Sequence, residues 1–148
     1  MQAEISTSKN IELPPPATIL VHIELPKPKS KENPMAPRLH TIIASTRPGR
    51  VGPVIAHWFH EFAKAHGKFD AHLVDLADFN LPVYDEPQHP SRRDYQHEHT
   101  KKWSESVKAA DAFVFVTPEY NYTLPPSLSN ALDYVFWEWQ YTPVGFVS

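Results

Sequence analysis

The stretch that decides the fold runs from Leu39 to Gly52 and reads LHTIIASTRPGRVG. Its first six residues, 39–44, are apolar or well tolerated in strands, which is typical of a buried β-strand. Hydroxyls, two arginines and two glycines follow, and then comes Pro53, which fits the first turn of a helix because its missing N–H costs nothing there. The sequence therefore predicts a strand, a polar loop and a helix, in that order.

The loop of this unit has the composition of an anion-binding site. Ser45 and Thr46 offer hydroxyl groups. Arg47 and Arg50 offer guanidinium groups that can grip a phosphate, and Gly52 lets the backbone come close. A helix N-terminus adds free N–H groups and the positive end of a dipole. The motif is neither a GxGxxG nor a Walker loop, so an ordinary strand-to-helix turn with two solvated arginines remains open.

The helix that follows is predicted from a spacing of three and four residues. Ile55, Trp58, Phe59 and Phe62 fall on one helical face, which we expect to pack on the sheet. Gly67 can end the helix in the left-handed conformation.

The rest of the pattern predicts a parallel α/β sheet. Residues 69–76 alternate as a second strand and complete a βαβ unit, which implies parallel strands and a right-handed crossover. Residues 112–116, AFVFV, read as a central strand buried on both faces. A helix is predicted over 97–110, and a fourth strand begins at Pro143. The long connection at 78–95 has the length of a functional loop or lid.

A second informative loop follows the predicted central strand. Residues 117–121, TPEYN, lie at its carboxyl end, where open α/β sheets bind ligands. Residues 127–139 then form a predicted helix with an apolar stripe. Tyr134, Phe136 and Trp137 add aromatic surface beyond the stripe, which points either to a partner chain or to a deeply buried helix.

Composition argues against several classes of protein. The 148 residues carry a formal net charge of −3 and no cysteine, so we expect no nucleic-acid partner, disulfide or thiolate chemistry. Nine histidines occur without an HExxH motif, so we expect no metal site. There is no apolar stretch of roughly 20 residues, no secretory pattern and no Arg-rich presequence. The expectation is a cytoplasmic protein that does not bind membranes.

The chain divides into two parts by composition. Residues 1–37 are rich in proline and lysine and are expected to form a disordered extension, although residues 18–25 could pair as a strand. Residues 38–148 form the predicted folded domain.

Four segments occur in a familiar order: ASTRPGRVG at 44–52, VDLADFNLPVYDEP at 74–87, TPEYN at 117–121, and SLSNALDYVFWEW followed by PVGFVS. Together they resemble the NADPH-dependent FMN reductase family. The resemblance implies a flavodoxin-like, doubly wound parallel sheet. The family usually has glycine where Ala44 stands, and it continues beyond PVGFVS into a glycine-rich loop, a helix, a fifth strand and a last helix. We therefore expect a C-terminally truncated domain with about four of five strands, in which one face of the third and fourth strands is exposed.

The resemblance also implies the cofactor site and the reaction. The FMN phosphate would be held by Ser45, Arg47 and Arg50, with backbone groups at Thr46 and Gly52 assisting. The ribityl chain and one edge of the ring would lie along the loop formed by Pro118, Glu119, Tyr120 and Asn121. The implied reaction is hydride transfer from NADPH or NADH to FMN and on to a quinone or other small electron acceptor. No protein side chain need act as acid or base, so no catalytic residue is named. A homodimer or homotetramer is expected through helix 127–139.

Two other functions stay open at this stage. The first is a non-catalytic, truncated module for flavin binding or dimerisation. The second is a small hydrolase or transferase that uses the same end of the sheet, with Glu119 as general base.

Overall fold

Four parallel strands form one sheet in the computed structural model, which describes residues 36–148. The strands are β1 (Arg38–Ile43), β2 (Asp70–Asp75), β3 (Ala112–Val116) and β4 (Val144–Val147). Their order across the sheet is β2-β1-β3-β4, and each neighbouring pair is parallel. This is the order of the first four strands of a flavodoxin-like sheet, so the predicted fold class is confirmed.

Three helices and three single turns of 3-10 helix connect the strands. The helices are α1 (Gly52–His66), α2 (Glu98–Lys108) and α3 (Pro126–Asp133), and the 3-10 turns are Leu76–Phe79, Pro90–Arg92 and Trp137–Trp139. None of the helices within residues 36–148 is both long enough and apolar enough to span a membrane. The expected extension at residues 1–37 and the possible strand at 18–25 lie outside the described residues, apart from positions 36 and 37.

The face that α1 buries differs from the predicted one. Ala56 and Ala63 are buried against the sheet, whereas Trp58 and Phe62 are 66% and 58% exposed. Small alanines let the helix lie close to the strands, so Trp58 and Phe62 are displaced to its side. Phe59, also of the predicted face, is partly buried and packs against the core. The predicted end of the helix is confirmed, because Gly67 adopts the left-handed conformation with φ 74°.

The predicted helix at 127–139 is wrong in its second half. α3 ends at Asp133, and the chain turns before the 3-10 helix Trp137–Trp139. The indole N–H groups of Trp103 and Trp139 donate to the carbonyls of Ala131 and Leu132 at 2.9 and 3.3 Å. These side chains satisfy carbonyls that another helical turn would have used.

In the turn after α3, one aromatic side chain is buried in the core and two remain partly exposed to solvent. Tyr134 is fully buried, and its hydroxyl donates to the carboxylate of Asp85 at 2.8 Å. Phe136 and Trp137 stay 45% and 40% exposed. Only part of the expected aromatic surface therefore exists.

The sheet is better covered than expected. All five residues of β3 are buried, so the prediction that the third strand exposes a face is wrong. In β4, Val144 and Phe146 are 44% and 56% exposed, as expected for the fourth strand. Within the described residues, the uncovered apolar part of the sheet is therefore confined to its β4 side.

Candidate functional site

Two loops meet at the carboxyl edge of the sheet. The β1–α1 loop, residues 44–51, and the β3–α3 loop, residues 117–125, leave neighbouring parallel strands at the same end. A cavity of about 150 Å³ lies between them. Six of the nine residues predicted to bind FMN line it: Ser45, Arg47, Arg50, Gly52, Pro118 and Tyr120.

The other three predicted residues lie around this cavity. Glu119 and Asn121 line a wide, open depression next to it, which Tyr120 also borders. Thr46 lines a separate cavity of about 280 Å³ together with Ser127 of α3. The structure thus gathers both predicted groups at one edge, but not in a single cavity.

Ser45 carries the main polar feature of the site. The residue is only 2% exposed, and its hydroxyl oxygen has no hydrogen-bond partner within residues 36–148. Buried hydroxyl groups are normally paired. An unpaired hydroxyl that lines a cavity is therefore suited to receive a ligand or a water molecule.

Gly52 keeps the space beside this hydroxyl open. A Cβ atom at position 52 would lie 2.5 Å from the Ser45 Oγ atom, closer than any two such atoms can approach. Gly52 also begins α1, and Val51 before it provides no side-chain cap for the first N–H groups. The cavity therefore combines a buried hydroxyl with an uncapped helix N-terminus, which is favourable for an anion.

The two arginines of the β1–α1 loop differ in availability. Arg47 is exposed, and its guanidinium donates to the carbonyl of Pro48 at 3.4 Å. Arg50 forms a bidentate ion pair with Asp75, with nitrogen–oxygen distances of 2.7 and 2.6 Å. The hydrogen bond to Asp75 raises the pKa of Arg50. Arg47 is therefore the arginine free to meet a ligand.

The β3–α3 loop is shaped by a tight turn. Tyr120 and Thr123 exchange two backbone hydrogen bonds of 3.0 and 3.1 Å. Asn121 and Tyr122 between them both have positive φ, 52° and 64°, as in a two-residue hairpin turn. The Glu119 carboxylate accepts the N–H of Tyr122 at 2.6 Å. Glu119 thus stabilises the turn, which favours a structural role over that of a general base.

Two residues of the site were missed by the sequence analysis. Asp75 holds Arg50, and the Ser127 hydroxyl donates to the carbonyl of Ala44 at 2.7 Å, which ties α3 to the end of β1. Both lie in segments that carry the family resemblance, 74–87 and 127–139, but that resemblance gave neither residue a role. Asp75 could also have been noticed as an acidic residue at the predicted end of a strand.

Comparison with known proteins agrees with this architecture. A family model described as NADPH-dependent FMN reductase matches residues 37–148. The NAD(P)H-dependent FMN reductase C4B3.06c of Schizosaccharomyces pombe is 42% identical over 116 residues, which are 77% of this chain and 58% of that protein. A quinone reductase of Escherichia coli K12 is 33% identical over 100 residues, covering 64% of this chain and 48% of its own length.

A solved structure shares the fold. FerB, a flavoenzyme NAD(P)H:(acceptor) oxidoreductase from Paracoccus denitrificans, aligns with a TM-score of 0.60 and 22% identity over 75% of this chain and 59% of its own. The chain thus spans between about half and three-fifths of the length of these proteins. Because the family model matches more than half of the chain, the protein belongs to the NADPH-dependent FMN reductase family.

Proposed function

We propose that this protein binds FMN at the carboxyl edge of its sheet and acts as an NAD(P)H-dependent oxidoreductase of the FMN reductase or quinone reductase type. The observation that carries the proposal is the buried Ser45 hydroxyl, which has no partner within residues 36–148 and lies beside the uncapped N-terminus of α1. Gly52 has no Cβ atom that would crowd this hydroxyl. Two relatives named for FMN and quinone reduction support the same function.

The two loops of the site would contact different parts of FMN. The Ser45 hydroxyl, the Arg47 guanidinium and the first N–H groups of α1 would hold the phosphate, with backbone at Thr46 and Gly52 assisting. The ribityl chain and ring would lie along the second loop, at Pro118, Glu119, Tyr120 and Asn121. When bound, FMN supplies the electron-accepting ring, and the protein supplies position and charge. No side chain is assigned as a proton donor or acceptor.

The donor and acceptor are part of the proposal. NADPH or NADH is the proposed hydride donor, since the Schizosaccharomyces pombe relative is named NAD(P)H-dependent. A quinone or another small molecule is the proposed acceptor, since one relative is named quinone reductase. A cytoplasmic location and a homodimer or homotetramer through residues 127–139 also stay predictions. The exposed Phe136 and Trp137 support the contact, although they lie beyond α3 rather than on it.

A second candidate is a module that binds flavin without catalysis. The exposed Val144 and Phe146 of β4 favour it, because the sheet is uncovered on the side next to the candidate site.

NADPH oxidation by the FMN-loaded chain separates the two candidates. Aerobic oxidation of NADPH with a quinone present is followed at matched concentrations of protein-bound and free FMN. The oxidoreductase proposal predicts a rate clearly above that of free FMN. A yellow, FMN-binding protein with no rate above the free-flavin background would instead identify the non-catalytic module, and a protein that stays colourless would contradict both.

A further inference from the structure

An ion pair joins the β1–α1 loop to the end of β2. The two terminal nitrogens of Arg50 donate to the two carboxylate oxygens of Asp75 at 2.7 and 2.6 Å, and both side chains are only about one-fifth exposed. The same Arg50 Nη1 atom also donates to the backbone carbonyl of Ser45. The ion pair therefore fixes the backbone of the residue whose hydroxyl lines the cavity.

Asp75 is itself held in place from two sides. It is the last residue of β2, and its backbone lies in register with Ile43 of β1. Its Oδ1 atom also accepts the N–H of Ala77 at 3.0 Å, which caps the 3-10 helix Leu76–Phe79. A carboxylate with this many partners is a rigid anchor rather than a mobile surface charge.

We infer that Asp75 is a positioning residue of the anion site: through Arg50 it holds the Ser45 carbonyl, and with it the Ser45 hydroxyl, ready for a phosphate group. This inference rests on the proposed FMN site and changes one part of it. The family resemblance assigns Arg50 to the phosphate directly. In the structure both terminal nitrogens of Arg50 are engaged, so Arg50 acts on the loop and Arg47 meets the ligand.

The two possible roles of Arg50 predict opposite changes in FMN affinity when the charge of Asp75 is removed. A carboxylate near an anion site repels the anion. If Arg50 were a direct phosphate ligand, neutralising Asp75 would release its guanidinium and tighten FMN binding. If Asp75 positions the loop, neutralising it frees the Ser45 backbone and weakens FMN binding. The direction of the change in affinity therefore separates the two roles.

The test uses Asp75→Asn in the full 148-residue chain. FMN and riboflavin are titrated by flavin fluorescence, because riboflavin lacks the phosphate. We expect FMN affinity to fall about tenfold and riboflavin affinity to stay within about twofold, since only phosphate contacts are disturbed. Amide hydrogen exchange over residues 45–52 of the flavin-free protein should also become faster. Unchanged or tighter FMN binding overturns the inference, and so does an equal loss for both flavins.

Two further variants control for charge and for folding. Asp78→Asn removes an exposed carboxylate whose charge also raises the pKa of Arg50, and we expect FMN affinity within about twofold of wild type. A loss as large as that of Asp75→Asn overturns the inference, because charge alone would then explain it. If Asp75→Asn does not fold, Asp75→Ser removes the same carboxylate and keeps a side-chain oxygen that can accept the Ala77 N–H. It should show the same FMN-specific loss, and unchanged or tighter FMN binding overturns the inference.

Failure of the proposed function is distinguishable from failure of this inference. A wild-type chain that binds neither flavin contradicts the FMN proposal. Hydrogen exchange then decides the positioning role alone: faster exchange over residues 45–52 in Asp75→Asn but not in Asp78→Asn supports it, and equal rates overturn it.

Discussion

At the residue scale, one buried hydroxyl and one missing side chain define the candidate site. Leaving a buried hydroxyl without a partner costs about 1–3 kcal/mol. The Ser45 hydroxyl is unpaired within the described residues, and only the absence of a Cβ at Gly52 keeps the adjoining space open. The Ser45 hydroxyl is therefore available to a ligand only while position 52 is glycine.

Gly52→Ala should close this space. The new methyl group would lie 2.5 Å from the Ser45 hydroxyl, so the hydroxyl or the first turn of α1 must move. We expect FMN affinity to fall at least about tenfold, with riboflavin affinity little changed, in a fluorescence titration.

Gly49→Ala is the matched control for that change. A Cβ at Gly49 meets nothing within 4 Å, but the residue has φ 70°, so alanine there costs about 1 kcal/mol of stability without filling the cavity. An equal loss of FMN affinity in both variants would contradict the role given to Gly52.

The sequence predicted residues of the site that lie close to one another in the chain. Ser45, Arg47 and Gly52 fall within one motif, and the structure places them around one cavity. Asp75 and Ser127 were missed because they reach the β1–α1 loop from 25 and 83 residues away. Such contacts depend on strand order, which a residue pattern does not specify by itself.

At the element scale, β1 and β2 carry a titratable cluster near their amino ends. His40 of β1 lies opposite His72 of β2, with their ring centroids 5.6 Å apart, and Phe113 of β3 packs edge-on against His40 at 6.2 Å. Asp70 accepts a hydrogen bond from Arg38 Nε at 3.3 Å and lies 2.8 Å from the Nε2 atom of His72. Burial lowers the pKa of His40 to about 4, with the positive charges of His72 and Arg38 adding to the effect.

This cluster makes the stability of the sheet sensitive to mild acid. The pKa of His40 is lower in the folded state than its ordinary value of 6.5, so its neutral form stabilises the fold fully above about pH 6.5. That contribution is lost as the pH falls towards 4. Between pH 7 and pH 5 we expect a loss of about 2 kcal/mol in the free energy of unfolding, measured by urea denaturation.

Replacing His40 tests the assignment. His40→Val should reduce the loss between pH 7 and pH 5, although His60, whose pKa is also lowered by burial, retains its own share. The neighbouring buried Thr41 serves as control, because Thr41→Val changes the same strand without changing a titratable group and should keep the wild-type pH dependence. An unchanged pH dependence in His40→Val would rule out His40 as its source.

A helix or strand was predicted correctly where its residue pattern favoured one kind of element over the others. AFVFV is a short run of valine and phenylalanine, which favours a buried strand, and β3 coincides with it. The stretch 127–139 was ambiguous, because its aromatic residues suit a helix, a core or a surface equally. Its helix stops where the indole N–H groups of Trp103 and Trp139 bind the carbonyl groups of Ala131 and Leu132, and helical periodicity does not record such side-chain contacts.

At the scale of the whole molecule, the strand order brings the two loops together. Because β1 and β3 are parallel neighbours, a phosphate beside Ser45 and a ring beside Tyr120 can belong to one ligand. The βαβ pattern predicted parallel strands, whereas the order that places β1 beside β3 was implied by the resemblance to a family with a flavodoxin-like sheet. That resemblance also predicted the exposed face of β4, where Phe146 is 56% exposed, but not the exposure of Trp58 and Phe62 on α1.

The central claim is that a phosphate group is recognised at Ser45, Arg47 and the N-terminus of α1. Comparing the affinities of the wild-type chain for FMN and riboflavin tests it most directly, because the two ligands differ only in that group. Two charge-assisted hydrogen bonds predict that FMN binds about a hundredfold more tightly. Equal affinities for the two flavins, or no binding of either, would contradict the claim.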